Sequence, residues 1–128
     1  MSDDWHLDAI TEFLGFRHEG PGRIRLTIRP ELMNQGGLLS GAVAFTMIDY
    51  AMGSALWPHI APDEAIATLN VAINYVATAR EGDIVCLAEV DRRNRRAATL
   101  TARVETAEGR LLATAIGSYS IFPRKGSA

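Results

Sequence analysis

Between Glu31 and Asp63 the chain carries a single formal charge, Asp49, set in the run MNQGGLLSGAVAFTMIDYAMGSALW from Met33 to Trp57. A carboxylate in apolar surroundings is costly to bury without partners, so Asp49 marks either a structural hydrogen-bond network or a group that does chemistry. Earlier in the same run, Gly41 follows Ser40. At the start of a helix, a glycine N–H lacks an intrahelical partner and is backed by the helix dipole. With no side chain, Gly41 also lets a ligand oxygen approach closely. An acid and an anion-stabilising N–H suit attack of water or carboxylate on a carbonyl.

Other residue types in the chain offer less. Asn34, Gly36 and Gly37 form a short loop before the run, where Asn beside Gly serves a turn as readily as a reaction. Ser40 lacks the G-x-S-x-G elbow of a serine hydrolase, since Leu38 stands two before it, and fits a helix N-cap. His6, His18 and His59 have no mutual spacing suited to a metal or a triad and are read as surface residues. Cys86, in an alternating segment, is expected in the core. Arg92, Arg93, Arg95 and Arg96 crowd one turn, which alone implies only a solvated hairpin.

Positioning Asp49 falls to a long helix, expected from Leu39 or Ser40 to Trp57 and broken by Pro58 and Pro62. Being apolar all round, it must be wrapped by other structure. A short helix is expected over 4–13, with an acidic first turn. Gly20-Pro21-Gly22 marks a turn, and Arg23–Arg29 alternates at period two, with Ile24, Leu26 and Ile28 on one face. Ile66–Val76 alternates as well: Ala67, Leu69, Val71, Ile73 and Tyr75 face one way, Thr68, Asn70, Ala72 and Asn74 the other. Strands follow over 84–91, 96–105 and 110–122, joined at Asn94 and at Glu108-Gly109, and the tail from Pro123 is expected to fray. Short connections favour one antiparallel sheet, curled around the helix. The fold class is therefore α+β, with a long central helix wrapped by a curved antiparallel sheet.

With 128 residues, the chain is expected to be a single domain, 1–128, able to bury a real core. A net charge of −2 argues against a nucleic-acid partner. The single cysteine fits a reducing compartment. The acidic N-terminus does not read as a signal peptide, and Asp49 makes the apolar run a poor membrane span. A cytoplasmic protein is expected.

Taken together, Asn34-Gln-Gly-Gly37-Leu-Leu-Ser40-Gly41-Ala42, then six residues to Asp49, and later Thr68-Leu-Asn-Val-Ala-Ile-Asn-Tyr75, carry a likeness. They resemble the hotdog-fold acyl-CoA thioesterases of the phenylacetate-pathway (PaaI-like) family. That family has an Asn, a Gly, then His-Gly-Gly opening the central helix, a carboxylate in the helix body, and a later S/T-x-x-x-N/A-x-x-Y strand. The organisation is similar from Gly15 to Pro123. Here Ser40 stands for the family His and Ala42 for its second Gly, which leaves the Gly41 N–H in place and puts rate and substrate choice in question.

The resemblance implies hydrolysis of an acyl-CoA thioester, with an aromatic or medium-chain acyl group, and no cofactor or metal beyond the substrate's own CoA. It implies Gly41 N–H as oxyanion donor and Asp49 as general base or nucleophile. Asn34 would orient the carbonyl or the water, and Thr68 would hold that water. Ser40 and Gly37 would lie along the substrate, with Arg93, Arg95 and Arg96 toward CoA phosphates. Phe45, Met47, Met52 and Trp57 are candidates for an acyl pocket or for plain core. Ser40 and Asp49 are nine residues apart, roughly 13 Å along a helix and about half a turn around it. Gly41 and Asp49 of one chain therefore do not flank one carbonyl, and a homodimer sharing two composite sites is implied, with pairing into tetramers left open. Two alternatives remain. One is a non-catalytic acyl-CoA-binding hotdog protein. The other is a hotdog hydratase or dehydratase, which places a His five residues after its Asp, where this chain has Ser54.

Overall fold

The structure, a computed structural model, describes residues 5–125. Asp4, at the expected start of the first helix, and the last three residues of the tail fall outside that range. Helix α1 spans Ala9–Leu14, shorter than expected because Asp8 caps it: the carboxylate accepts from Thr11 N at 3.2 Å, while Thr11 Oγ1 accepts from Asp8 N at 2.9 Å. Gly15 ends the helix with φ 86°, a left-handed conformation suited to glycine.

Strands β1 (Arg17–His18), β2 (Arg23–Thr27), β3 (Glu64–Tyr75), β4 (Asp83–Arg93), β5 (Ala97–Thr106) and β6 (Leu111–Pro123) make one antiparallel sheet in the order β1-β2-β4-β5-β6-β3. Helix α2, Gly41–Leu56, lies in the concave face. Its Met47, Ile48, Met52 and Leu56 pack with Ile24, Leu26, Ile84 and Leu100, all but sealed from solvent. A long helix held in the curl of an antiparallel sheet is the hotdog fold.

Two details differ from the expected pattern and both bear on the site. The sheet does not enclose α2 completely. Ala42, Phe45, Thr46 and Asp49, at i, i+3, i+4 and i+7, form a stripe left partly or fully exposed. In addition, β3 does not alternate throughout. Thr68 pairs with Tyr119 but Asn70 pairs with Ser118, so Leu69 is an extra residue, a β-bulge, and is 63% exposed. The bulge reverses the alternation. Thr68 and Tyr75, expected on opposite faces, both reach the helix side of the sheet.

Candidate active site

Ser40 caps α2 as expected, its Oγ accepting from Ala42 N at 3.2 Å. The Gly41 N–H at the first helical position has no hydrogen-bond acceptor among the described residues, as the first turn of a helix leaves its donors open. Tyr75 closes over this position from β3: its hydroxyl donates to the Gly41 carbonyl at 2.8 Å. A Cβ on Gly41 would lie 3.4 Å from the Tyr75 ring, an ordinary contact that the fold itself tolerates.

Asn34 acts as a turn residue and keeps half of its amide in reserve. Its Oδ1 accepts from Gly36 N at 2.9 Å and Leu38 N at 3.2 Å, shaping the loop. The left-handed residue of that loop is Gly37, with φ 74°, not Asn34. The Asn34 Nδ2 donors take no acceptor among the described residues. Asn34 and Gly41 line a cavity of ≈ 210 Å³ whose other walls include Leu39, Ala44, Tyr75 and Val104. Two donors thus border an otherwise mainly apolar space. The aromatic and thioether residues considered for an acyl pocket are elsewhere: Met47 and Met52 are sealed in the core, Phe45 is on the open stripe, and Trp57 packs at the helix end.

Asp49 is half-buried, on the stripe of α2 that the chain's own sheet leaves open. Its Oδ1 accepts from Thr68 Oγ1 at 2.7 Å and from Tyr119 Oη at 2.5 Å. The same Tyr119 hydroxyl lies 2.6 Å from the Asp49 backbone carbonyl. Oδ2 has no donor among the described residues. Burial, and then the adjacent carboxylate, push the Tyr119 phenol far above its ordinary range, so it stays a donor. Tyr119 was not singled out from the sequence. The available signal was a phenol at an inward position of an alternating apolar strand, where a buried hydroxyl needs a partner.

The expected site therefore falls into two groups in one chain. Gly41 and Asn34 share a cavity; Asp49 and Thr68 meet along the helix, and neither lines that cavity. Gly41 and Asp49 are eight positions apart, about 12 Å along the axis. Ser40 and Gly37 adjoin the first group through the cap and the loop turn.

The arginines divide as well. Arg93 is committed within the chain: to Glu64 at 2.7 Å, and to the carbonyls of His59, Asn94 and Arg95 at 3.2, 2.6 and 3.0 Å. Arg95 and Arg96 instead line a groove of ≈ 530 Å³ with Asp63, Glu64 and Ser120. Ser120 follows Tyr119 along β6, on the opposite face of the strand. Among the described residues no helix is long and apolar enough to cross a membrane.

This fold defines a class, and comparison gives the family. The family model of the Thioesterase superfamily matches residues 36–113, more than half of the chain, and the chain belongs to that superfamily. No curated protein matches it. Among solved structures it is similar to the conserved protein PA5202 from Pseudomonas aeruginosa, 29% identical with a TM-score of 0.82 over 91% of this chain and 95% of that one. The thioesterase HI1161 from Haemophilus influenzae is 16% identical, with a TM-score of 0.86 over 91% and 84%. The BH2602 protein from Bacillus halodurans, crystallised with CoA, is 20% identical, with a TM-score of 0.85 over 91% and 78%. These last two share the fold with this chain.

Proposed function

We propose that this chain, acting as one domain in the cytoplasm, is an acyl-CoA thioesterase of the PaaI-like kind, with sites shared across a homodimer. The single observation that carries this reading is that Gly41, with an open N–H, and Asn34, with open Nδ2 donors, line one mainly apolar cavity. The superfamily and the CoA held by the Bacillus halodurans relative support thioester chemistry.

In the dimer, Asp49 of the partner subunit faces the cavity at Gly41. As general base, its free oxygen takes a proton from water while the water oxygen bonds to the thioester carbonyl carbon. The carbonyl electrons move onto oxygen, where Gly41 N–H and Asn34 Nδ2 stabilise the charge. The tetrahedral intermediate then collapses, the C–S bond breaks, and the CoA thiolate takes back the proton. As nucleophile, the same oxygen would bond to the carbonyl carbon first and expel the CoA thiolate, leaving an anhydride that water cleaves while its proton goes to the thiolate. Thr68, donating to Oδ1, serves by holding Asp49 rather than the water.

The dimer is supported by what one chain leaves open. Among the described residues β3 pairs with β6 alone, which leaves its other edge open, and the stripe Ala42, Phe45, Thr46 and Asp49 is exposed on α2. The cavity of ≈ 210 Å³ is somewhat larger than the roughly 150 Å³ apolar cavity that takes up benzene. An aromatic or medium-chain acyl group fits that size. Arg95 and Arg96 are the better candidates for CoA phosphates, since the guanidinium of Arg93 is already engaged. Release of free thiol from a panel of aromatic and straight-chain acyl-CoAs tests the proposal. Turnover of one of them at rates well above background is expected; binding of acyl-CoA without thiol release would leave the non-catalytic binding protein instead.

A further inference from the structure

Tyr119 is 3% exposed, midway along β6 between β5 and β3. A phenylalanine would fill the same space with no hydroxyl to satisfy, and an unpartnered buried hydroxyl is costly. The hydroxyl lies 2.5 Å from Asp49 Oδ1 and 2.6 Å from Asp49 O, with the Thr68 hydroxyl beside it. Bridging the side-chain and main-chain oxygens of one aspartate restrains its side-chain torsions, because rotation carries Oδ1 away from the shared proton. Thr68, paired with Tyr119 across the β3–β6 ladder, donates to the same oxygen. Two neighbouring strands thus load Oδ1 and leave Oδ2 without a donor.

We propose that Tyr119 is a positioning residue for Asp49: together with Thr68 it clamps Oδ1 so that Oδ2 is the oxygen presented to water or thioester. The proposal rests on the thioesterase reading of Asp49 and adds which oxygen reacts and what holds it. Short O–H···O⁻ bonds of this kind are among the stronger ones in proteins, and a site held by locked neighbours keeps its geometry through turnover. The ionisable groups around Asp49 are Tyr119 itself, Tyr50 next to it on α2 with Asp8 on its hydroxyl, and Cys86 behind Tyr119.

The test pairs kinetics with a measurement that needs no activity. Tyr119→Phe should lower kcat by roughly 10-fold with KM within about twofold, the pattern of lost alignment rather than lost binding. In an Asp49→Asn background the same change should cost nothing further, because its effect passes through that carboxylate. The carboxylate stretch of Asp49, isolated as the infrared difference between wild type and Asp49→Asn, should shift in Tyr119→Phe. If that variant does not fold, 3-fluorotyrosine at position 119 keeps the shape and strengthens the donor, and the band should move the other way. An unmoved band, or an equal loss of kcat in both backgrounds, overturns the role of Tyr119. A moved band in a protein that releases no thiol from any acyl-CoA overturns the thioesterase reading and leaves the Asp49 clamp standing.

Discussion

The hydroxyl of Tyr75 lies 2.8 Å from the carbonyl of Gly41, so an edge strand is tied to the first residue of the long helix. A Cβ at position 41 would lie 3.4 Å from that ring, at ordinary contact distance. Gly41→Ala should therefore keep the fold, since alanine is the better helix former by up to about 1 kcal/mol. It should still lose activity, by up to roughly 10²-fold in kcat/KM, as the added methyl crowds the approach of the thioester oxygen to the N–H. Thermal melts beside thiol-release kinetics check this; an Ala variant with full activity would show that close approach at this position is not needed.

Asp49 and Gly41 are placed in different subunits of each proposed site. Asp49→Asn should reduce turnover by roughly 10²-fold or more while sedimentation still gives a dimer. Mixing it, after unfolding and refolding together, with an inactive Gly41→Val chain should restore about a quarter of wild-type activity. Half the dimers are then mixed, and each holds one intact site. No recovery on mixing would place both residues in a single-chain site.

Tyr50 donates to Asp8 Oδ2 at 2.6 Å, fastening the start of α1 to α2, with Trp5 packed 6.4 Å from the Tyr50 ring and 4.7 Å from that of His18. The Tyr50 hydrogen bond, foremost, holds the Asp8 carboxyl below its ordinary 3.8. A depressed carboxyl contributes stability above its unfolded value, and that is lost as pH falls from about 4 through the native value. Asp8 in turn pushes the Tyr50 phenol up to about 12. A raised phenol contributes fully below its unfolded value near 10, and its share is lost as pH rises toward 12. The indole N–H resonance of Trp5 should shift at both ends of the range. In Tyr50→Phe its acid transition should begin at higher pH.

Cys86 is fully buried on β4, and burial pushes its thiol up to about 12. The thiolate is the reactive form, so a thiol reagent at neutral pH should leave the native protein unlabelled and modify it fully once unfolded. Labelling of folded protein at a rate comparable to a free thiol would mean that β4 opens locally.

Much of the architecture was legible because its causes are local. Ser40 capping α2 and the turn at Gly109, with φ 90°, follow from residue types a few positions apart. The first helix is shorter than its expected span because Asp8 makes the reciprocal cap with Thr11. The alternation of β3 misled in a different way. Read straight through, it sets Thr68 and Tyr75 on opposite faces, and only the bulge at Leu69 brings both onto α2. Nothing at Leu69 announces the bulge, since it arises from pairing with β6.

The amino-acid sequence by itself determined the order of elements, the lone acid in an apolar helix and the glycine at that helix's start, because helix periodicity, capping and charge are properties of neighbouring residues. Tertiary structure alone decided that Asn34 spends its carbonyl on its own loop, that Arg93 is tied down while Arg95 and Arg96 border a groove, and that Tyr119 reaches Asp49. Tyr119 and Asp49 are seventy residues apart. Only the pairing of β6 with β3 above α2 brings them within hydrogen-bonding distance.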